Sequence, residues 1–275
     1  MKSIFSVCAI VTILCGFTYP DKGGVADFDN PQKIKNQLLI LTNPRTGSHL
    51  LLYSIVSLTQ RPLRGRVPMW HFLNDPPFRN PENILRLDMD FSKPTMYWGH
   101  EYHLLGKLNH SNNKLIFTSR NYKETILSNL KIQHGNKNAS PKRLEKLLQH
   151  EIINGGSIFA EYINRLRLYD RWDPSNRLLV KFEHLVKNPE IFVPAVLSFI
   201  QEPVDPTDFI SNYSSFKQQL RDVYDAKKYT TVSRDNVHYF GDLISPKTHA
   251  FLDNYVKSKY PKLWNSYLHE FEYKK

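Results

Sequence analysis

Gln37-Leu-Leu-Ile-Leu-Thr42, then Asn43-Pro-Arg-Thr-Gly-Ser48, then His49-Leu-Leu-Leu-Tyr-Ser-Ile-Val-Ser-Leu-Thr59: an apolar run, a turn and a segment of helical length decide the fold class. Consecutive apolar residues mark a strand covered on both faces, which a sheet with helices on either side provides. A turn carrying Pro and Gly then feeds the helix, giving half of a β–α–β unit. Backbone N–H groups at such a turn, with the helix dipole behind them, favour an anion. Gly47 permits close approach to a phosphate, Thr46 and Ser48 offer hydroxyls, Arg45 adds a fixed positive charge, and the backbone continues the site to His49. The spaced glycines and Gly-Lys-Ser/Thr ending of a Walker loop are missing. An ordinary strand–helix turn bearing an exposed arginine fits the same residues, so the turn alone does not decide function.

The alternation continues outward. Thr95–Gly99, Lys114–Thr118 and Arg177–Phe182 read as strands. Helices are expected from Asn121 to about Ile132, from Ser140-Pro141 to about Ile153, from a Ser157 cap to about Trp172, over Pro189–Gln201, and from Ser245-Pro246 to near Pro261. Arg61–Asp90 reads as loop, with Arg61-Pro-Leu-Arg-Gly-Arg66 more a solvated basic stretch than a contact for an anionic acceptor; Trp70, Phe72, Phe78 and Trp98 suit an acceptor pocket or ordinary packing equally. The expectation is a single α/β domain with a largely parallel sheet flanked by helices.

The 275 residues carry 37 Lys+Arg against 26 Asp+Glu, a formal charge of +11, which implies anionic company. At 41% apolar and 23% charged the chain is globular, not a disordered polyelectrolyte. No repeat is visible, and its two cysteines, Cys8 and Cys15, build neither a disulfide scaffold nor a cysteine-rich zinc site. No nucleic-acid-binding motif occurs.

Two further features carry chemistry. Thr118-Ser119-Arg120 ends a strand and Ser128 follows on the next helix, so an arginine fork and a hydroxyl are placed to grip one phosphate. Gly99-His100 ends another strand, where an imidazole can accept a proton at neutral pH. Glu101 and then His103 compete for that role; His100, His103 and His110 lack the acidic partners of a metal cluster.

Pro44-Arg-Thr-Gly-Ser48 with Arg120…Ser128 resembles the PAPS-dependent sulfotransferases, as do Gly156-Ser-Ile-Phe159, Leu178-Leu-Val-Lys-Phe-Glu-His-Leu185 and Asn188-Pro-Glu190, in register from about Leu38 to Gln201. The resemblance implies a P-loop-NTPase-like sulfotransferase architecture over 37–275 and transfer of a sulfonate from PAPS to a hydroxyl acceptor, with no metal. It implies His100 as general base, Arg45 with the Gly47–His49 backbone on the leaving 5′-phosphate, and Arg120 with Ser128 on the 3′-phosphate. Arg234, with Gly241-Asp242, is what remains of the family's C-terminal nucleotide loop. The chain departs from the family at Trp98, where a lysine is usual, at Leu50, where an aromatic packs on adenine, and at Phe182, where a tyrosine is usual. These departures also suit a non-catalytic nucleotide- or sulfated-glycan-binding module.

At the N-terminus, Lys2 precedes an uncharged apolar stretch ending at Pro20, the pattern of a cleaved export signal or a signal-anchor over 1–20, followed by a linker over 21–36. Secretion, or membrane anchoring through residues 3–20, is therefore expected. Asn109, Asn138 and Asn212 each begin an Asn-x-Ser glycosylation pattern.

Overall fold

The computed structural model describes residues 36–66, 90, 92–94, 96–100, 102–108, 110–133, 139–226 and 243–271. The expected targeting segment, Trp70, Phe72, Phe78, Glu101, Asn109, Asn138, Arg234 and Gly241-Asp242 lie outside them.

Among the described residues five strands form one parallel sheet, β1 (Leu38–Thr42), β2 (Leu63–Arg66), β3 (Met96–Gly99), β4 (Lys114–Ser119) and β5 (Arg177–Lys181), in the order β2-β3-β1-β4-β5. β1 is central because all five of its residues can be buried. Its side chains alternate between two cores. Leu39 and Leu41 join Tyr97, Leu115 and Phe117 on one face of the sheet. Leu38 and Ile40 join Met96, Trp98, Ile116 and Val180 on the other.

The first face is covered by α3 (Tyr122–Gln133), α4 (Pro141–Ile153), α5 (Ser157–Arg171) and α10 (Pro246–Lys259). The second is covered by α1 (Ser48–Thr59), α6 (Phe182–Lys187), α7 (Pro189–Ile200) and α9 (Tyr213–Ala226). The short helices α2 (Tyr102–Leu105) and α8 (Thr207–Ser211) complete the connections. Ser140 and Ser245 cap α4 and α10 as expected, accepting from the amides of Arg143 and Thr248.

Three details correct the sequence reading. Leu63–Arg66 is an edge strand paired with β3, its register shifting between Arg64 and Arg66, and Arg61 is ion-paired to Glu202 at 2.8 Å, not solvated. Ser157 is the first residue of α5, not its cap. Glu151 of α4 takes that role, accepting from the amides of Ile158 and Phe159 at 2.7 and 3.1 Å. A Cβ on Gly156 would lie 2.1 Å from Glu151 Oε2, so glycine is what lets the carboxylate in. Finally, α8 and α9 were not anticipated.

Because every strand is parallel, the loops after β1, β3, β4 and β5 emerge at one edge of the sheet. The chain crosses past β1 in going from β3 to β4, and ligands of open parallel sheets bind in the crevice beside such a crossing.

Candidate active site

From Thr42 the chain turns into α1 through two left-handed residues, Arg45 (φ 73°) and Gly47 (φ 80°). A side chain in that region costs about 1–2 kcal/mol, and neighbours hold Arg45 there: Arg120 Nη1 donates to its carbonyl at 3.2 Å. The Thr46 hydroxyl, fully buried, lies 2.7 Å from the Asn43 carbonyl and 2.5 Å from Thr118 Oγ1. The Ser48 hydroxyl donates to Thr42 Oγ1 at 2.8 Å. Both hydroxyls, expected to donate to an anion, are therefore turned into the protein, where they set the shape of the loop. Gly47 too has an inward reason: a Cβ there would lie 2.8 Å from Leu185 Cδ2 and 3.1 Å from Phe182 Cδ2, so glycine admits α6 against the loop.

The expected phosphate-binding side chains come together. Arg45 Nε donates to Ser128 Oγ at 3.0 Å, across 83 residues of sequence. Arg120, 6% exposed, donates to Glu124 Oε2 at 3.3 Å and lays its guanidinium 4.4 Å over the Phe182 ring. Burial lowers the pKa of Arg45, and the charge of Arg120 lowers it further. Burial likewise lowers that of Arg120, opposed by Glu124 and Glu183. A half-buried and a buried cation that disfavour each other's charge are stabilised by an anion between them. Phe182 thus provides the surface on which Arg120 rests, and Leu50 packs into the second core.

His100, leaving β3, meets the end of β1. Its Nδ1 lies 2.7 Å from the Thr42 carbonyl oxygen and 3.0 Å from Thr42 Oγ1. A carbonyl only accepts, so Nδ1 carries the proton and Nε2 is the basic nitrogen. Trp98 Nε1 donates to Thr42 Oγ1 at 3.3 Å, and the indole stands between the rings of His49 and His100 at 5.5 and 5.4 Å. Trp98 therefore walls and orients where a lysine would bring charge. His110 stacks 4.1 Å from Trp172, before β4 and away from the loop edge; the orientation of the His103 side chain is outside the described residues.

Sequence reasoning missed Arg165 of α5. It is 5% exposed and sits in the apolar stripe of Tyr162, Leu166 and Tyr169. Its Nε donates to the His100 carbonyl at 2.6 Å, Nη1 to Asn43 Oδ1 at 3.4 Å and Nη2 to Glu161 at 2.6 Å. A cation at i+3 within a helical apolar stripe was the available signal.

Over residues 35–242 the sequence matches the family model described as the sulfotransferase domain. No curated protein matches it. The structure is similar to that of mouse sulfotransferase SULT7A1 complexed with PAP, with a TM-score of 0.58 and 13% identity over 86% of this chain and 88% of that one. It is also similar to the sulfotransferase domain of the Synechococcus PCC 7002 olefin synthase (TM-score 0.49, 15% identity, 82% of this chain and 97% of that one). A third match is the sulfotransferase domain from the curacin biosynthetic pathway (TM-score 0.42, 16% identity, 63% and 76%). At these identities the first likeness is one of fold.

Proposed function

The chain belongs to the sulfotransferase family, and we propose that it transfers the sulfonate group of PAPS to a hydroxyl of its acceptor with His100 as the base. The observation that carries this reading is the pairing of His100 Nδ1 with the Thr42 carbonyl, which makes Nε2 basic at the end of the strand beside the anion loop. The PAP held by the mouse protein of the same fold supports PAPS as the donor.

Bound PAPS supplies an activated sulfonate. Arg120 and Ser128 hold the 3′-phosphate, while Arg45 and the N–H groups of Gly47–His49 face the 5′-phosphate. His100 Nε2 takes the acceptor's proton as the acceptor oxygen bonds to sulfur. The bond between sulfur and the 5′-phosphate oxygen breaks, its electron pair leaving with PAP. Arg45 stabilises that leaving charge electrostatically and transfers no proton, since guanidinium stays charged. The N-terminal segment over 1–20 belongs to the same proposal as an export or anchoring signal; among the described residues no helix is long and apolar enough to cross a membrane.

Turnover of labelled PAPS against a panel of hydroxyl acceptors tests the activity. With an acceptor in hand, His100→Ala should lower kcat by ~10²–10⁴ and leave PAP affinity unchanged, because general-base catalysis acts in the transition state. Normal turnover in His100→Ala, with loss in Glu101→Ala, moves the role to the carboxylate.

A further inference from the structure

We propose that Arg165 is a positioning residue, setting where the base stands relative to the anion loop. The inference rests on the reading of His100 as the base.

β1 and β3 are neighbours, and each ends where regular sheet bonding stops: β1 at Thr42, ahead of Asn43, and β3 at Gly99, ahead of His100. From there the two chains diverge, one into the anion loop and the other into α2. Arg165 bridges them from below. Nε is 2.6 Å from the His100 carbonyl, and Nη1 reaches the side chain of Asn43, the first residue of the loop. The His100 carbonyl also accepts from the Tyr102 amide at 3.1 Å, which starts the turn into α2. The guanidinium lies 6.0 Å from the Tyr102 ring, and Asn164 of the same helix donates to the Tyr102 hydroxyl at 3.1 Å. One stretch of α5 therefore holds the peptide that carries the imidazole and the ring that follows it.

Geometry explains why arginine serves here. A rigid planar fork can present separate N–H groups to two strand ends and a third to Glu161, whereas an ammonium is a single point. The His100 ring is fixed on its other side by the Thr42 carbonyl, so the imidazole is held through its backbone by α5 and through Nδ1 by β1. Loosening the backbone lets Nδ1 leave the carbonyl, and the tautomer preference goes with it. An ångström of misplacement of a reacting group lowers rate by about 10²-fold.

The test is Arg165→Lys, which keeps the charge opposite Glu161, with Arg165→Ala and Glu161→Gln beside it. Three quantities are read: kcat with a working acceptor, PAP affinity by calorimetry, and the His100 tautomer by ¹⁵N NMR of histidine-labelled protein. Arg165→Lys is expected to lower kcat by about 10–10²-fold, hold PAP affinity within about twofold, and convert the single Nδ1–H tautomer of His100 to a mixture. Added guanidinium should restore part of kcat to Arg165→Ala, and Glu161→Gln should behave as wild type. An unchanged kcat and tautomer in Arg165→Lys overturns the proposal. So does a fall in PAP affinity proportional to the fall in kcat, which makes Arg165 a support of the whole site and not of the base. The NMR reading needs no turnover, so a wild-type protein inactive toward every acceptor would refute the proposed function while the tautomer still decides this one.

Discussion

Replacing Gly47 by alanine tests the loop and its support together. Two costs add. At φ +80° the new Cβ meets the backbone clash that disfavours left-handed residues, about 1–2 kcal/mol. The same Cβ would lie 2.8 Å from Leu185 Cδ2 and 3.1 Å from Phe182 Cδ2, side chains that are 0% and 2% exposed and cannot swing into solvent. Overpacking of this kind costs about 1–3 kcal/mol, so the expected destabilisation is about 2–5 kcal/mol, read as a shifted urea midpoint at constant slope. Arg120 rests on Phe182, so displacement of that ring should also weaken PAP binding in calorimetry. Leu185→Ala separates the two costs. In that background the nearest obstruction is gone while Phe182 Cδ2 remains at 3.1 Å, so Gly47→Ala should cost less than in wild type and approach the backbone part, about 1–2 kcal/mol. Equal costs in the two backgrounds would refute the packing argument, and a wild-type cost below about 0.5 kcal/mol would refute the backbone argument as well.

Arg120→Ala should weaken PAP binding by a few kcal/mol, and Ser128→Ala by about 1 kcal/mol. Because Arg120→Ala also removes an ion-pair partner from the buried Glu124 carboxylate, Arg120→Ala with Glu124→Gln should regain stability without regaining PAP affinity; tight binding in either Arg120 variant refutes the assignment. His110 is held below its ordinary pKa, chiefly by burial against the pull of main-chain acceptors. The unfolded chain therefore binds this proton more readily, so the stability it contributes is complete above about pH 6.5 and is lost as pH falls through the folded value. His110→Phe keeps an aromatic ring on Trp172 and should show a smaller drop in urea midpoint between about pH 7.5 and about pH 5 than wild type; parallel drops refute the assignment.

Buried parallel strands announce themselves as apolar runs, which is why β1, β3, β4 and β5 were legible within a residue or two. β2 was not, because Leu63-Arg-Gly-Arg66 carries two arginines and a glycine, and its strand form comes from pairing with β3 alone. α9 did leave a trace, Tyr213, Phe216 and Leu220 at helical spacing, all packed into the second core. Within the site, Arg45, Arg120, Ser128 and His100 could be picked out because each lies at the end of a strand or on the helix after it. Arg165 was marked only as a cation in an apolar stripe, and its partners, 65 and 122 residues away, were not legible. Sequence distance also explains the misreading of Thr46, whose partner Thr118 stands 72 residues away, whereas Ser48 turns back to Thr42 only 6 residues before it. A hydroxyl in a glycine-containing turn looks available until Thr118 and Thr42 are seen beside it.

The sheet order has a consequence for how the chain comes to be folded. β1 is made first and ends in the middle, and both of its partners come later, β3 by more than fifty residues and β4 later still. Parallel partners cannot be reached by a hairpin, so closing the sheet means closing long loops, the slow step of such topologies. Until β4 is made, β1 is four apolar residues and a threonine with an open edge, the kind of segment through which nascent chains associate. The contacts His100–Thr42, Arg165–His100 and Arg45–Ser128 join residues 58, 65 and 83 positions apart. No fragment that ends before Arg165 contains them together. A chain halted before α5 holds both strand ends but not the Arg165 that bridges them, so the bridge is added only after both sheet partners of β1 have been made.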